Sequence, residues 1–123
     1  MLTLLAVSAA SAIGAPARFL LDRTIAGRRT SRLPLGTMAI NLTGAFLLGL
    51  LTGLAVHHGM PKGMLAMLGT GFCGAYTTFS TFSYETMRLV EDGSIAEAGT
   101  NVAVSLLAGT AAAALGLGLA LIV

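Results

Sequence analysis

The sequence predicts an all-α integral membrane protein with four transmembrane helices, and three observations carry that prediction. Of 123 residues, 55% are hydrophobic and only 10% are charged, against roughly 25% charged in an average soluble domain. The mean hydropathy is +0.87, and a chain this short cannot hide so much apolar surface in a core, because small domains bury the least of theirs. The apolar residues also fall in four long runs joined by short polar connectors, not in amphipathic stripes. A single transmembrane domain over residues 1–123 is expected, with helices at about 2–21, 34–56, 63–90 and 95–123.

Crossing the hydrocarbon core takes about 20 mostly apolar residues. Leu2 to Leu21 meets this with one charge, Arg18. It lacks the basic flank of a cleaved leader and is expected to remain as a helix. Pro16 removes a backbone donor and is expected to bend it. Pro34 to Val56 holds no charge, and Pro34 suits the first turn of a helix. Gly63 to about Val90 carries Glu85 and Arg88 toward its end, and Ile95 to Val123 carries Glu97 near its start. Gly59 and Pro61 mark a turn between the second and third runs. Glu91-Asp92-Gly93-Ser94 ends the third, with Ser94 placed to cap the fourth. Gly49 and Gly53 form a GxxxG step, and these with Gly14, Gly44, Gly69, Gly109 and Gly118 read as close helix packing.

Several function classes are excluded or disfavoured. The net charge is only +2, and the basic residues sit mostly in one connector, whereas a nucleic-acid binder spreads them over a surface or along a helix. Cys73 is the only cysteine, so neither an intrachain disulfide nor a thiolate metal cluster can form. It reads as a small packed residue. His57 and His58 stand in a turn with no Cys or carboxylate near them, and no His or Asp lies within a span, so an enzyme is not expected.

The third run is unlike the others. Glycines at 69, 71 and 74 precede hydroxyls at Thr77, Thr78, Ser80, Thr81 and Ser83. Helix-breaking glycines and a dense polar run are tolerated at membrane depth only where protein or a cavity covers them. A broken helix frees carbonyl oxygens, which in transporters coordinate small cations. The hydroxyls are neutral, rotatable donors suited to a small anion, and conduction requires binding weak enough for the ion to leave. Phe79 and Phe82 share a helix face, and aromatic rings have positive edges. Singly each Phe reads as packing; interleaved with hydroxyls beside a glycine break, the pair reads as an anion path. Asn41 is an amide within the apolar second run, with Thr37 one turn earlier. Intramembrane polar groups face the protein interior or a cavity, so Asn41 reads either as interhelical glue or as part of a path. Asn101, Ser105 and Thr110 form a weaker stripe on the fourth run, and Ser and Thr there can bond to their own helix.

The string Gly71-Phe72-Cys73-Gly74-Ala75-Tyr76-Thr77-Thr78-Phe79-Ser80-Thr81-Phe82-Ser83 resembles the signature of the Fluc (CrcB) fluoride channel family. So do Pro34-Leu35-Gly36-Thr37, Asn41-Leu42-Thr43-Gly44, the Gly14 to Arg18 stretch and Asn101-Val102-Ala103-Val104-Ser105. The similarity runs essentially end to end. It implies a passive fluoride channel in the cell membrane that lets fluoride leave the cell, built as an antiparallel dimer with two pores. By this resemblance, Gly74 and Thr77 give backbone carbonyls to a structural sodium ion at the dimer centre, where the third helix is broken. Phe79 and Phe82 line the pores and Asn41 reaches toward them. Ser80, Thr81, Ser105 and Thr37 belong to the polar track. Glu85 lies in a vestibule and Arg18 near a pore mouth.

Two other readings compete. Small multidrug exporters also have four short helices, but that class resembles antiporters with a carboxylate buried in helix one, where this chain has Arg18. An accessory subunit of a larger membrane complex fits the GxxxG step but leaves the hydroxyls and paired phenylalanines unexplained. Orientation is a further expectation. Arg23, Arg28, Arg29, Arg32 and Arg88 fall on one membrane face and only Lys62 on the other. That bias favours a fixed topology with the Asp22 to Leu33 connector in the cytoplasm. Two subunits fixed alike cannot pair antiparallel. The expected partner is therefore either a homologous chain of opposite bias or a second copy inserted the minority way.

Overall fold

The computed structural model describes residues 1–28 and 31–123, and all regular elements among them are helices. Arg29, one of the connector arginines, lies outside the described residues. Among the described residues, three helices are long and apolar enough to cross a membrane: α1 (Leu2–Ala26), α2 (Leu35–His57) and α6 (Ile95–Ile122). The other passage is composite. It runs through α3 (Lys62–Leu65), a π-helical segment (Ala66–Cys73), α4 (Gly74–Tyr76) and, after two non-helical residues, α5 (Phe79–Glu91). The chain is thus a four-passage membrane protein.

Helix ends differ little from expectation, except that α1 continues to Ala26 and carries Asp22 and Arg23. The Arg23 guanidinium lies 5.6 Å from the Phe19 ring centre, which lets a charged residue extend the helix at the boundary. Pro16 lies inside α1 without ending it.

Packing follows the small residues. The most extensive contact is α2 against α6. A Cβ on Gly49 would collide with the Ala113 carbonyl, and one on Gly116 with the Phe46 carbonyl, so the two backbones touch. On the other side, α1 lies along the π-helical segment. A Cβ on Gly14 would stand 2.5 Å from the Phe72 carbonyl, and one on Gly71 would stand 2.7 Å from that of Val7. Ser11 Oγ donates to the Gly71 carbonyl at 3.1 Å. Gly69, Gly71 and Gly74 were expected to interrupt the third helix. The structure instead holds them in helical or π-helical backbone, Gly74 at φ −62 and ψ −37, and two of them give neighbouring helices close access. A π turn closes i→i+5 bonds and widens the helix locally, so these glycines keep the segment helical instead of breaking it.

The connectors lie at alternating ends. Ser94 was expected to cap α6 with its side chain; no such bond is made. Its hydroxyl accepts from Arg32 Nη1 at 2.9 Å, which ties the first connector to the third. At the opposite end His58 Nε2 is bonded to the Ala120 carbonyl at 2.7 Å. Gly59 and Gly93 turn the chain with φ of 68 and 77, a region open to glycine. The outer surface is apolar, with Leu106, Leu107, Leu115 and Ile122 all exposed, as contact with lipid requires.

Candidate functional site at the helix interruption

Two residues set the site. Thr77 (φ −80, ψ 161) and Thr78 (φ −150, ψ 121) are extended, the backbone that adjacent β-branched residues favour. Thr77 closes α4, with both its N–H and its hydroxyl donating to the Cys73 carbonyl at 2.9 Å. Thr78 opens α5 as its N-cap. Its Oγ1 accepts from the Thr81 N–H at 3.2 Å, the capping role that Thr performs well. The same hydroxyl donates to Thr81 Oγ1 at 3.0 Å and lies 3.3 Å from Ser80 Oγ.

Distant residues complete the interruption. Asn41 Nδ2 donates to the Thr78 carbonyl at 2.9 Å, and the Thr78 N–H donates to Asn41 Oδ1, also at 2.9 Å. The amide thus pairs with an extended residue as a neighbouring strand would. Arg18 Nη1 donates to the Thr77 carbonyl at 3.2 Å. All four backbone polar groups of Thr77 and Thr78 are therefore engaged, which non-helical backbone at membrane depth demands. Gly44, one turn beyond Asn41, makes room, because a Cβ there would collide with Thr77 Cγ2. Thr43 Oγ1 and Tyr76 Oη, 2.8 Å apart, bind the same two elements together. In an unbroken helix the Thr78 N–H would serve the Gly74 carbonyl; here it serves Asn41.

Two grooves meet at this point. One of about 350 Å³ is bordered by Asn41, Gly44, Leu48, Gly74, Thr77 and Phe79, among others. The second, about 340 Å³, is lined by Asn41, Phe79, Phe82, Val102, Ser105 and Leu106. Asn41 and Phe79 border both. The two phenylalanine rings are 5.8 Å apart at 42°. Phe79 is 78% exposed, so its ring stands bare. The Ser105 hydroxyl is buried without a hydrogen-bond partner, unlike Thr110, whose hydroxyl is spent on its own helix at Leu106.

A family model described as CrcB-like protein, Camphor Resistance (CrcB), matches residues 5–117. The chain belongs to the CrcB family. A protein of Frankia casuarinae named fluoride-specific ion channel FluC 1 is 47% identical over 94% of this chain and 94% of its own length. One of Mycobacterium tuberculosis named fluoride-specific ion channel FluC 2 is 51% identical over 85% of this chain and 79% of its own. One of Leifsonia xyli, named FluC 1, is 54% identical over 73% of this chain and 66% of its own.

In this CrcB chain the candidate residues divide into groups. Asn41, Phe79, Phe82 and Ser105 share one groove. Gly74 and Thr77 border the adjoining one. Ser80 and Thr81 serve the Thr78 cap. Thr37 is 2% exposed and borders neither groove. Arg18 donates to the Thr77 carbonyl. Glu85 lines a separate groove of about 230 Å³ with Arg32, Tyr84, Arg88 and Asp92. Thr78 was not singled out from the sequence although it organises the interruption. Its signal was present, a Thr at the start of the segment Phe79 to Glu91, where a helix needs an N-cap. Ser11 and Thr86 were also missed. Thr86 Oγ1 accepts from Asn101 Nδ2 at 2.8 Å and donates to the Phe82 carbonyl at 2.7 Å.

Proposed function

We propose that this chain is a subunit of a passive, fluoride-selective channel through which fluoride leaves the cell. The observation that carries the proposal is the groove where Phe79, Phe82 and Asn41 meet the unpartnered Ser105 hydroxyl. Positive ring edges and neutral N–H and O–H donors replace part of an anion's water. No fixed cation borders this groove to hold the ion too tightly, which favours exit. The relatives' names supply the ion's identity, and no step is catalytic. Purified protein in liposomes should release fluoride rapidly and retain chloride; equal release of both would overturn the selectivity.

The bare Phe79 ring fits a path completed by a second, antiparallel chain, with the groove around Gly74 and Thr77 facing it. A structural sodium ion suits that face. Its donors are neutral carbonyl oxygens, hard ligands for a hard cation, and the Gly74 carbonyl is released from its helical donor by the Asn41–Thr78 bond. A sodium ion held there would neutralise partial negative charge between two chains. Gly74 and Thr77 would hold it, and the chain's own work at the site is to keep those carbonyls turned out of the helix.

Partner choice follows from charge. The described arginines Arg23, Arg28, Arg32 and Arg88 stand toward the end where Arg32 meets Ser94, and Lys62 stands at the other. This supports a fixed orientation and a homologous partner of opposite bias. Relatives numbered FluC 1 and FluC 2 are consistent with paired chains. Expressed alone in cells, an Arg28→Cys variant should be labelled by an impermeant thiol reagent from the cytoplasmic side. Equal labelling from both sides would restore the homodimer.

A further inference from the structure

Among the described residues, Arg18 is the one charged side chain with a hydrogen bond to the interrupted backbone. It reaches there from α1, 59 residues away in sequence, and its guanidinium donates to the Thr77 carbonyl at 3.2 Å. That carbonyl is one of the two oxygens to which the sodium reading of this site turns. A carbonyl oxygen has two lone pairs, so a guanidinium and a metal ion can both reach it, but as like charges in a medium of low dielectric they oppose each other strongly. Arginine does not lose its proton in proteins, so the opposition is permanent. Arg18 is also half-buried, and a charge at membrane depth marks a functional position by default.

We infer that Arg18 is a built-in cation of the interruption, a positioning residue that holds the Thr77 carbonyl in place of a metal ion and weakens sodium binding at that oxygen. The inference rests on the sodium reading proposed above. Arg18 supplies through a covalent tether part of what a bound ion would supply. The interruption is therefore held even when sodium is scarce, and sodium adds to an arrangement already stabilised by a donor from α1. Ser11, two turns earlier on α1, donates to the Gly71 carbonyl in the same manner, so α1 runs along the composite passage as a line of donors to carbonyls, with the charged one at the extended residues.

The test is the thermal stability of the purified dimer in detergent, titrated with sodium against a large organic cation. Wild type should show a sodium-dependent rise in melting temperature. Arg18→Gln keeps a donor for the carbonyl but removes the charge; it should melt lower without sodium and reach half-saturation at a sodium concentration at least tenfold below wild type. Arg18→Met, which removes charge and donor, should show the same shift, and Arg18→Lys should match wild type. A midpoint unchanged in both neutral variants, with sodium dependence intact, would overturn the inference alone. Melting indifferent to sodium in wild type and variants would overturn the sodium reading and the inference with it. Loss of the folded dimer in both neutral variants would also overturn it, since Arg18 would then be a requirement of the fold.

Discussion

Replacing Phe82 or Phe79 with Ile should lower fluoride efflux from liposomes at least tenfold, while chloride efflux stays low and the protein still purifies as a folded helical species. Isoleucine retains the apolar bulk but has no ring and hence no positive edge to turn toward an anion. A tenfold loss corresponds to about 1.4 kcal/mol on the barrier, a modest demand on a ring that borders the proposed path. Phe79 is 78% exposed, so its replacement leaves no core cavity and a loss of flux cannot be assigned to unfolding. Phe82 lies partly buried between Asn41 and Ser105, and its variant needs the circular dichroism and size-exclusion controls. Wild-type flux in both variants would return the pair to plain packing.

The second large effect is expected at Asn41. The amide serves Thr78 twice, once as donor and once as acceptor, at 2.9 Å each. Asn41→Asp keeps the acceptor and loses the donor. As a carboxylate, it turns an oxygen toward the Thr78 carbonyl, and leaving such a buried group unsatisfied costs about 1–3 kcal/mol. A charge within a spanning helix adds up to about 2.5–3.5 kcal/mol on insertion scales. Both penalties vanish on protonation, because a carboxylic acid can donate to the Thr78 carbonyl and accept from its N–H. The site therefore accepts the neutral acid and rejects the carboxylate. The sign follows: acid supplies the neutral form and restores both bonds, and rising pH removes them. Flux and melting temperature of the variant should be low at neutral pH and recover in acid, whereas wild type should change little. A variant that conducts like wild type at neutral pH would show that the Thr78 bonds are dispensable. The amide also has a second N–H and a second carbonyl lone pair, so it can hold the interruption and still border the groove of Phe79 and Phe82. The alternatives of glue and path left open by the sequence are compatible in one side chain.

Much of the fold is legible in the residues themselves. Four apolar runs with short connectors determine four passages, because a helix that meets all its own backbone bonds is what an uninterrupted apolar run must form in lipid. Gly49 and Gly53 declare close helix contact in advance for the same local reason, since a missing side chain is visible in the sequence, whereas Gly109 and Gly118, read the same way, have no neighbour within 4 Å of an added Cβ and Gly116, which does, was not read. The hydroxyl run after Tyr76 and the paired phenylalanines point to the candidate site, and the resemblance to a family signature supplies its proposed role. The break was expected near Gly74–Thr77, and extended backbone falls at Thr77 and Thr78, while the glycines at 69, 71 and 74 stay helical. The support of the interruption was not legible. The cause is tertiary. An extended pair within a bilayer survives only if other helices satisfy its N–H and carbonyl groups. Here the donors and acceptors are Arg18 and Asn41, 59 and 37 residues away. Gly74 alone could have bent the chain anywhere along the segment. The interruption stands at Thr77 and Thr78 because α1 and α2 bring a guanidinium and an amide to those two peptide groups.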